Sequence, residues 1–461
     1  MLRSALLILS GNAFASLLLL ARNLLVARMI PLADYGMAST FALVMAVVEM
    51  ASAFGLQQQI VQAKDGDDPH FQAVLQGFQL LRGCVSGAAL FVLAGPMADF
   101  MSIPEVTWAY RLLALVPVLN ALVHFDIHRL NRHMVFWPML LTGALPALVS
   151  VLVLWPLAHW FGDWRVMLYS ILVQAGLGVL VSHLVAKRRW RLAFDAQIIG
   201  QSLRFGWPLL ANAVLLFLVF QGDRMIVGRE LGMTTLAVFS MGLTLTLTPT
   251  LVLAKSVQNL FLPLLSSARH DPIRFQHIAK ITQQLILLAG TGFCLLILLI
   301  GPFLAHALLG DAYNALYPLI FVFALQQALR VFKVAPALVA LAKGHTSNAM
   351  IANLVRVCAL PLCWYVAITS GDLALILWIA TAAEVFSYAV SSVLLHRIQI
   401  KIGLLSHLAV AAVLSAAILC WTQADKTNVS PAWPAWATMI LGLGVCLAAM
   451  PELRQYLRKR A

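Results

Sequence analysis

Apolar residues run along this chain in long unbroken blocks, and polar residues gather in short stretches between them. Hydropathy and turn residues mark fourteen such blocks, at about 5–30, 36–62, 74–98, 107–129, 135–159, 164–186, 203–228, 232–258, 279–303, 313–342, 347–369, 373–395, 404–422 and 432–449. A bilayer core about 30 Å thick is crossed by about 20 apolar residues in a helix, so each block is long enough for one crossing or close to it. The runs are continuous rather than alternating with period two, which selects helices over a β-barrel. A helix also satisfies its own backbone hydrogen bonds in a medium without water. The pattern therefore predicts an all-α polytopic membrane protein of about 14 transmembrane helices. The first block begins just after Arg3 and stays apolar past residue 20 without a small-residue cleavage site, so it reads as a first span rather than a signal peptide. No polar stretch is long enough to fold alone.

Composition agrees. Of the 461 residues, 62% are apolar and 11% charged, against about 45–50% and 25% in soluble domains. The formal charge of +13 would suggest a nucleic-acid partner in a soluble protein. Here its distribution argues otherwise, and no nucleic acid is expected. With the N-terminus inside, the inside segments hold 18 of the 31 basic residues and the outside segments only four. That asymmetry follows the positive-inside rule and places both termini in the cytoplasm. The six cysteines lie within apolar runs, form no C-x-x-C pair and read as packing residues.

The most basic internal loop, 187–202, separates the first six spans from the next six. The two halves begin alike: Arg28-Met29-Ile30 leads to Asp34 and Gly36, and Arg224-Met225-Ile226 leads to Glu230 and Gly232, every pair offset by 196 residues. Six spans between equivalent positions make this a parallel repeat, one of the arrangements of transporter folds. The expected organisation is a lobe over 1–190, a second over 191–400, and two added spans with a basic tail over 401–461.

Charges inside the spans carry the candidate chemistry. Arg22, Arg330, Lys333 and Arg356 fall well within their blocks, where each would cost about 2.5–3.5 kcal/mol if it faced lipid. They are expected to line a shared central cavity that binds the substrate. Gln326, Gln327, Arg330 and Lys333 are three or four residues apart and form one helical stripe. Arg82, Arg111, Arg204, Arg224 and Lys255 lie nearer span ends and can reach the interface. Of these, Arg224 and Lys255 join the candidate cationic set. The intramembrane acids are Glu49, Asp126, Asp223 and Glu384. Glu49, Asp223 and Glu384 are candidates for coupling to a proton or sodium ion, or for pairing with Arg22, Arg224 and Arg356. The nine intraspan cations outnumber the four acids, so a cationic interior suited to a phosphate remains.

No phosphate loop or H-E-x-x-H motif is present, and no cofactor or catalytic residue is expected. His124 and His128 flank Asp126 at metal-ligand spacing, yet they sit at a span end, where an interfacial role is favoured and no metal is expected. Pro117, Pro146, Pro208, Pro249, Pro336 and Pro361 are expected to kink their spans.

The opening of the chain, with Gly11-Asn12, Arg22, the turn Pro31-Leu32-Ala33-Asp34-Tyr35-Gly36 and Phe54-Gly55-Leu56, resembles bacterial polysaccharide-export flippases. The start of the second half, with Phe205-Gly206-Trp207-Pro208, Asn212, Gln221-Gly222-Asp223-Arg224 and Leu231-Gly232, repeats the likeness. These are the Wzx-like members of the polysaccharide transport family, within the multidrug/oligosaccharidyl-lipid/polysaccharide exporter superfamily, and the likeness covers roughly residues 1–400. It implies a MATE-like fold of two six-helix lobes in the bacterial inner membrane. It implies that the substrate is an undecaprenyl-pyrophosphate-linked oligosaccharide, flipped by alternating access for O-antigen, exopolysaccharide or capsule export. Membrane lipids, a polysaccharide polymerase and a chain-length regulator are the implied partners. A peptidoglycan-precursor flippase would use the same cations, and a multidrug exporter of the superfamily would need a cavity acid that the first span lacks.

Overall fold

The structure, a computed structural model, describes the backbone of residues 2–51, 55–63, 65–345, 347–400, 403–423 and 433–458; it does not describe the side chains of 2–13, 47–51, 58, 62, 205–212 and 433. Helices are the only regular structure among these residues. Packing divides the chain into two units, Met1–Ala237 and Val238–Ala461. The lobes expected from the repeat and these packing units divide the chain by different criteria.

The first unit contains α1 (Leu2–Met29), α2 (Leu32–Ala51), α3 (Leu56–Gln62), α4 (Pro69–Phe100), α5 (Thr107–Leu113), α6 (Leu115–Leu122), α7 (Asp126–Arg132), α8 (Trp137–Leu152), α9 (Leu154–Trp160), α10 (Arg165–Val185) and α11 (Ala196–Glu230). Helix α12 (Gly232–Ser267) begins there and continues into the second unit. The second unit adds α13 (Pro272–Leu309), α14 (Ile320–Phe332), α15 (Val334–Ala342), α16 (Ser347–Val357), α17 (Leu360–Thr369), α18 (Leu373–Arg397), α19 (Leu404–Gln423), α20 (Trp433–Ala448) and α21 (Pro451–Arg458).

The expected blocks are mainly helical where described, with breaks such as 123–125 and 317–319. Among the described residues nine helices are long and apolar enough to cross a membrane, or up to eleven if two bent pairs each count as one. The expected segments in α1, α2 and α11 are helical without being among them; all three include residues with undescribed side chains.

Aspartates start the long helices. Asp68, Asp195, Asp271 and Asp372 each accept two backbone N–H groups in the first turn of α4, α11, α13 and α18, satisfying amides that a helix start otherwise leaves open. Where prolines break the spans, they do so in a regular way. A proline removes the hydrogen bond to the carbonyl four residues earlier. The residues four before Pro117, Pro156, Pro336 and Pro361 are Leu113, Leu152, Phe332 and Val357, the last residues of α5, α8, α14 and α16. Pro146 and Pro249 instead lie inside unbroken α8 and α12, and α11 also runs unbroken through Pro208. Of the six prolines expected to bend their spans, Pro117, Pro336 and Pro361 coincide with breaks.

The turn shared by the two sequence repeats is a packing contact. A Cβ on Gly36 would lie 1.9 Å from the carbonyl oxygen of Met233, next to Gly232, whose φ is +83°. Glycine at 36 lets the start of α2 approach the start of α12, and glycine at 232 supplies the left-handed turn before it. In the second unit the apolar core gathers α13, α14 and α15 with α19 and α20 around Phe275, Phe321, Phe332 and Leu295.

Candidate functional site

Three of the four deep cations meet in the second unit. Arg330 stands near the end of α14, Lys333 in the break that Pro336 makes before α15, Arg356 near the end of α16, and Glu384 midway along α18. All three converge on that one carboxylate. Arg330 Nε lies 2.7 Å and Arg356 Nε 3.2 Å from Glu384 Oε1, and Lys333 Nζ lies 2.6 Å from Oε2. Arg356 and Glu384 are fully buried and Lys333 is 9% exposed. Lys333 also donates to Ser387 Oγ at 3.1 Å, and Ser387 donates to the Ala352 carbonyl at 2.5 Å. One turn further on, Asn348 and Ser391 exchange hydrogen bonds of 2.9 and 2.6 Å, pinning α16 to α18.

Three cations gather on one anion in a buried place. Removing ions from water costs several kcal/mol each, and one carboxylate offsets part of that for three partners. On the same stripe, Gln326 and Gln327 are fully buried, and the amide N and O of both lack hydrogen-bond partners among the described residues. Buried amides without partners are uncommon and call for water or a ligand.

The remaining candidates are dispersed. In the first unit Arg22 Nη1 donates to Gln174 Oε1 of α10 at 2.5 Å. The glutamine holds it without neutralising it, and no sequence signal marked Gln174 as a partner. Arg224 Nη1 donates to Gln221 Oε1 at 3.2 Å, and Asp223 beside it is buried. Lys255 is exposed on α12. The side chain of Glu49 lies outside the described residues.

Other residues hold the frame. Asp126 binds Arg129 at 2.6 Å and accepts the backbone N–H groups of Lys187 and Arg188 at 2.8 and 3.2 Å. It thus ties the basic loop to the start of α7. At the other end of the chain, α20 and α21 meet at 85°, and polar α21 leaves the line of the span. Glu452 there receives Lys280 Nζ at 3.0 Å and Gln284 Nε2 at 2.5 Å. Burial alone would raise the Glu452 carboxyl, but the hydrogen bonds from Lys280 and Gln284 outweigh it and hold it below its ordinary value. Gln284 Oε1 in turn accepts the Leu453 N–H at 2.8 Å.

Known proteins resemble this chain in both sequence and fold. A family model described as "Polysaccharide biosynthesis protein" matches residues 25–318. The amylovoran biosynthesis protein AmsL of Erwinia amylovora is 24% identical over 316 residues, 65% of this chain and 80% of that protein. The succinoglycan biosynthesis transport protein ExoT of Rhizobium meliloti (strain 1021) is 24% identical over 280 residues, 58% of this chain and 55% of that protein. Among solved structures, the lipid II flippase MurJ in an inward closed conformation superposes with a TM-score of 0.70 at 14% identity, covering 98% of this chain and 99% of that one. An inward-facing multidrug resistance transporter of the MATE family superposes at 0.63 with 14% identity, covering 84% and 95%. The likeness to both structures is one of fold, that of the MATE-like proteins of the exporter superfamily, as the sequence resemblance implied.

Proposed function

This chain belongs to the polysaccharide biosynthesis protein family, and from that premise we propose that it flips a lipid-linked oligosaccharide from the cytoplasmic to the periplasmic leaflet of the bacterial inner membrane. The observation that carries this reading is the convergence of Arg330, Lys333 and Arg356 on the buried carboxylate of Glu384. The names of AmsL and ExoT tie relatives to amylovoran and succinoglycan biosynthesis, and that of ExoT to transport. The undecaprenyl-pyrophosphate carrier as the substrate's anchor is what the resemblance of the sequence to Wzx-like flippases implies.

In this reading the multiply charged pyrophosphate is the part of the substrate that lipid rejects most strongly. Guanidinium groups bind it through paired N–H donors and Lys333 as a point charge. Glu384 keeps the cations together while the site is empty, so that the pyrophosphate enters an assembled set of donors. Arg22, held by Gln174, and Arg224 offer further positive charge in the first unit. Glu384, engaged by three cations, serves as counterion, which leaves Asp223 and Glu49 as the candidates for ion coupling. The lobes alternate between inward-open and outward-open forms, and the polyprenyl tail stays in the bilayer. The protein acts as a transporter without chemical conversion of its substrate, beside the polymerase and chain-length regulator that use the flipped product.

The test is reconstitution. Proteoliposomes containing the purified chain and an undecaprenyl-pyrophosphate oligosaccharide are expected to expose the sugar to an external glycosidase or lectin much faster than protein-free liposomes. Equal exposure with and without protein would refute the reading. Faster exposure of a peptidoglycan precursor than of any export oligosaccharide would assign the chain to that substrate instead.

A further inference from the structure

The basic loop that separates the sequence halves is folded against α4 and the start of α7. Its backbone is held at Lys187 and Arg188 by Asp126, and at Ala193 by a 3.1 Å hydrogen bond to the Ala73 carbonyl. The approach is so close that a Cβ on Gly77 would lie 2.3 Å from the Ala193 oxygen. Between loop and helix lies a cavity of about 220 Å³, lined by Arg188, Arg189 and Arg191 on one side and by Gln72 and Gln76 of α4 on the other.

The polar walls are fixed. Arg188 donates to Gln72 Oε1 at 3.0 Å and to the Asp67 carbonyl at 2.9 Å. Buried Gln76 is engaged by the backbone at Ala121, Val123 and Phe125. The nearby acids are otherwise engaged. Asp126 takes Arg129, Asp67 takes Arg132 and His133, Asp68 caps α4, and Asp195 caps α11 and lies 3.8 Å from His70. Among the described residues no carboxylate lies within ion-pair distance of Arg189 or Arg191. Three guanidiniums at a preformed hollow suit a phosphate, which accepts their forked N–H groups. Apolar side chains flank the same segment: Leu184 is 75% and Phe194 65% exposed, as befits residues that meet acyl chains next to a headgroup.

We propose that this pocket binds the phosphate of an anionic phospholipid, on the side of the membrane that the charge asymmetry assigns to the cytoplasm. The site is separate from the Glu384 cluster and does not depend on what that cluster carries. A bound lipid would tie the loop joining the two sequence halves to the leaflet composition.

The full chain, purified in neutral detergent and titrated with phosphatidylglycerol or phosphatidylcholine under native mass spectrometry, tests this. Phosphatidylglycerol is expected to bind in preference, and the Arg189→Gln/Arg191→Gln double variant to bind it about tenfold more weakly, as loss of charge-assisted hydrogen bonds implies. Arg188 is left in place because it braces the loop. The Arg189→Lys/Arg191→Lys variant, which keeps charge and fold, is expected to retain part of the preference. A control, Arg274→Gln/Arg397→Gln, removes the same charge from exposed positions outside the pocket and is expected to bind like wild type. Equal weakening in the control, or no weakening in the pocket variant, would overturn the proposal. Binding of inorganic pyrophosphate with no preference for the lipid would overturn the lipid assignment and leave a site for free phosphate.

Discussion

Glu384 faces three cations and is fully buried, so a change of its charge at constant shape isolates its part in the structure. Glu384→Gln leaves Arg330, Lys333 and Arg356 buried without a carboxylate. Loss of one partner from a buried ionic group costs about 3–5 kcal/mol, and the variant is expected to melt well below wild type in the same detergent; an unchanged melting temperature would show that the cluster does not depend on this anion. The sequence made the cations of this cluster legible, because an arginine in the middle of an apolar block has few tolerable positions. It also offered Glu384 as a partner of Arg356. It did not reveal that one carboxylate serves three cations, since α14, α16 and α18 are brought together by packing and not by spacing along the chain. For Arg22 the same argument from depth applied, yet its partner is Gln174, a neutral side chain that no charge count could single out.

At the scale of the helix, the repeat turn and the proline breaks follow from local chemistry. Gly36→Ala drives a methyl group into the Met233 carbonyl, 1.9 Å from an ideal Cβ. Backbone must move, and overpacking of this kind costs about 1–3 kcal/mol, read as a lower melting temperature; a neutral Gly36→Ala would show that α2 and α12 are not in close contact there. The likeness between residues 28–36 and 224–232 was visible in the sequence, but not that the two turns touch. Pro117, Pro336 and Pro361 break their spans while Pro146 and Pro249 do not. Proline removes one hydrogen bond in every case, and neighbouring helices decide whether the axis then breaks. Helix α21 is a second test at this scale. The folded state holds the Glu452 carboxyl below its ordinary value, so its contribution is full at neutral pH and is lost as acid protonates it. Amide exchange over 451–458 is expected to lose protection below the ordinary carboxylate range and, in Glu452→Gln, at neutral pH as well. Protection that is independent of both would show that the contacts to Lys280 and Gln284 do not hold the helix.

For the whole molecule, the block pattern identified an all-α membrane protein because lipid tolerates few alternatives. Breaks within a span were harder to read, since the bent α5–α7 looks in sequence like a uniform apolar run. A carrier of a pyrophosphate headgroup moves negative charge outward. A membrane potential, negative inside, contributes about 2.3 kcal/mol per elementary charge per 100 mV, so imposed potential of that sign is expected to speed flipping in proteoliposomes, and potential of the opposite sign to slow it. A rate insensitive to both would mean that compensating charge travels with the substrate.

The central claim is that the cations of the buried cluster bind what the protein transports. Arg330→Gln/Lys333→Gln removes two of these cations and keeps Arg356 paired with Glu384, so the fold is expected to survive where Glu384→Gln weakens it. Flipping of an undecaprenyl-pyrophosphate oligosaccharide by this double variant, measured in proteoliposomes at equal protein incorporation, is expected to fall at least about tenfold, the effect of losing roughly 1.4 kcal/mol of binding or more. Flipping at the wild-type rate by a folded double variant would contradict the account.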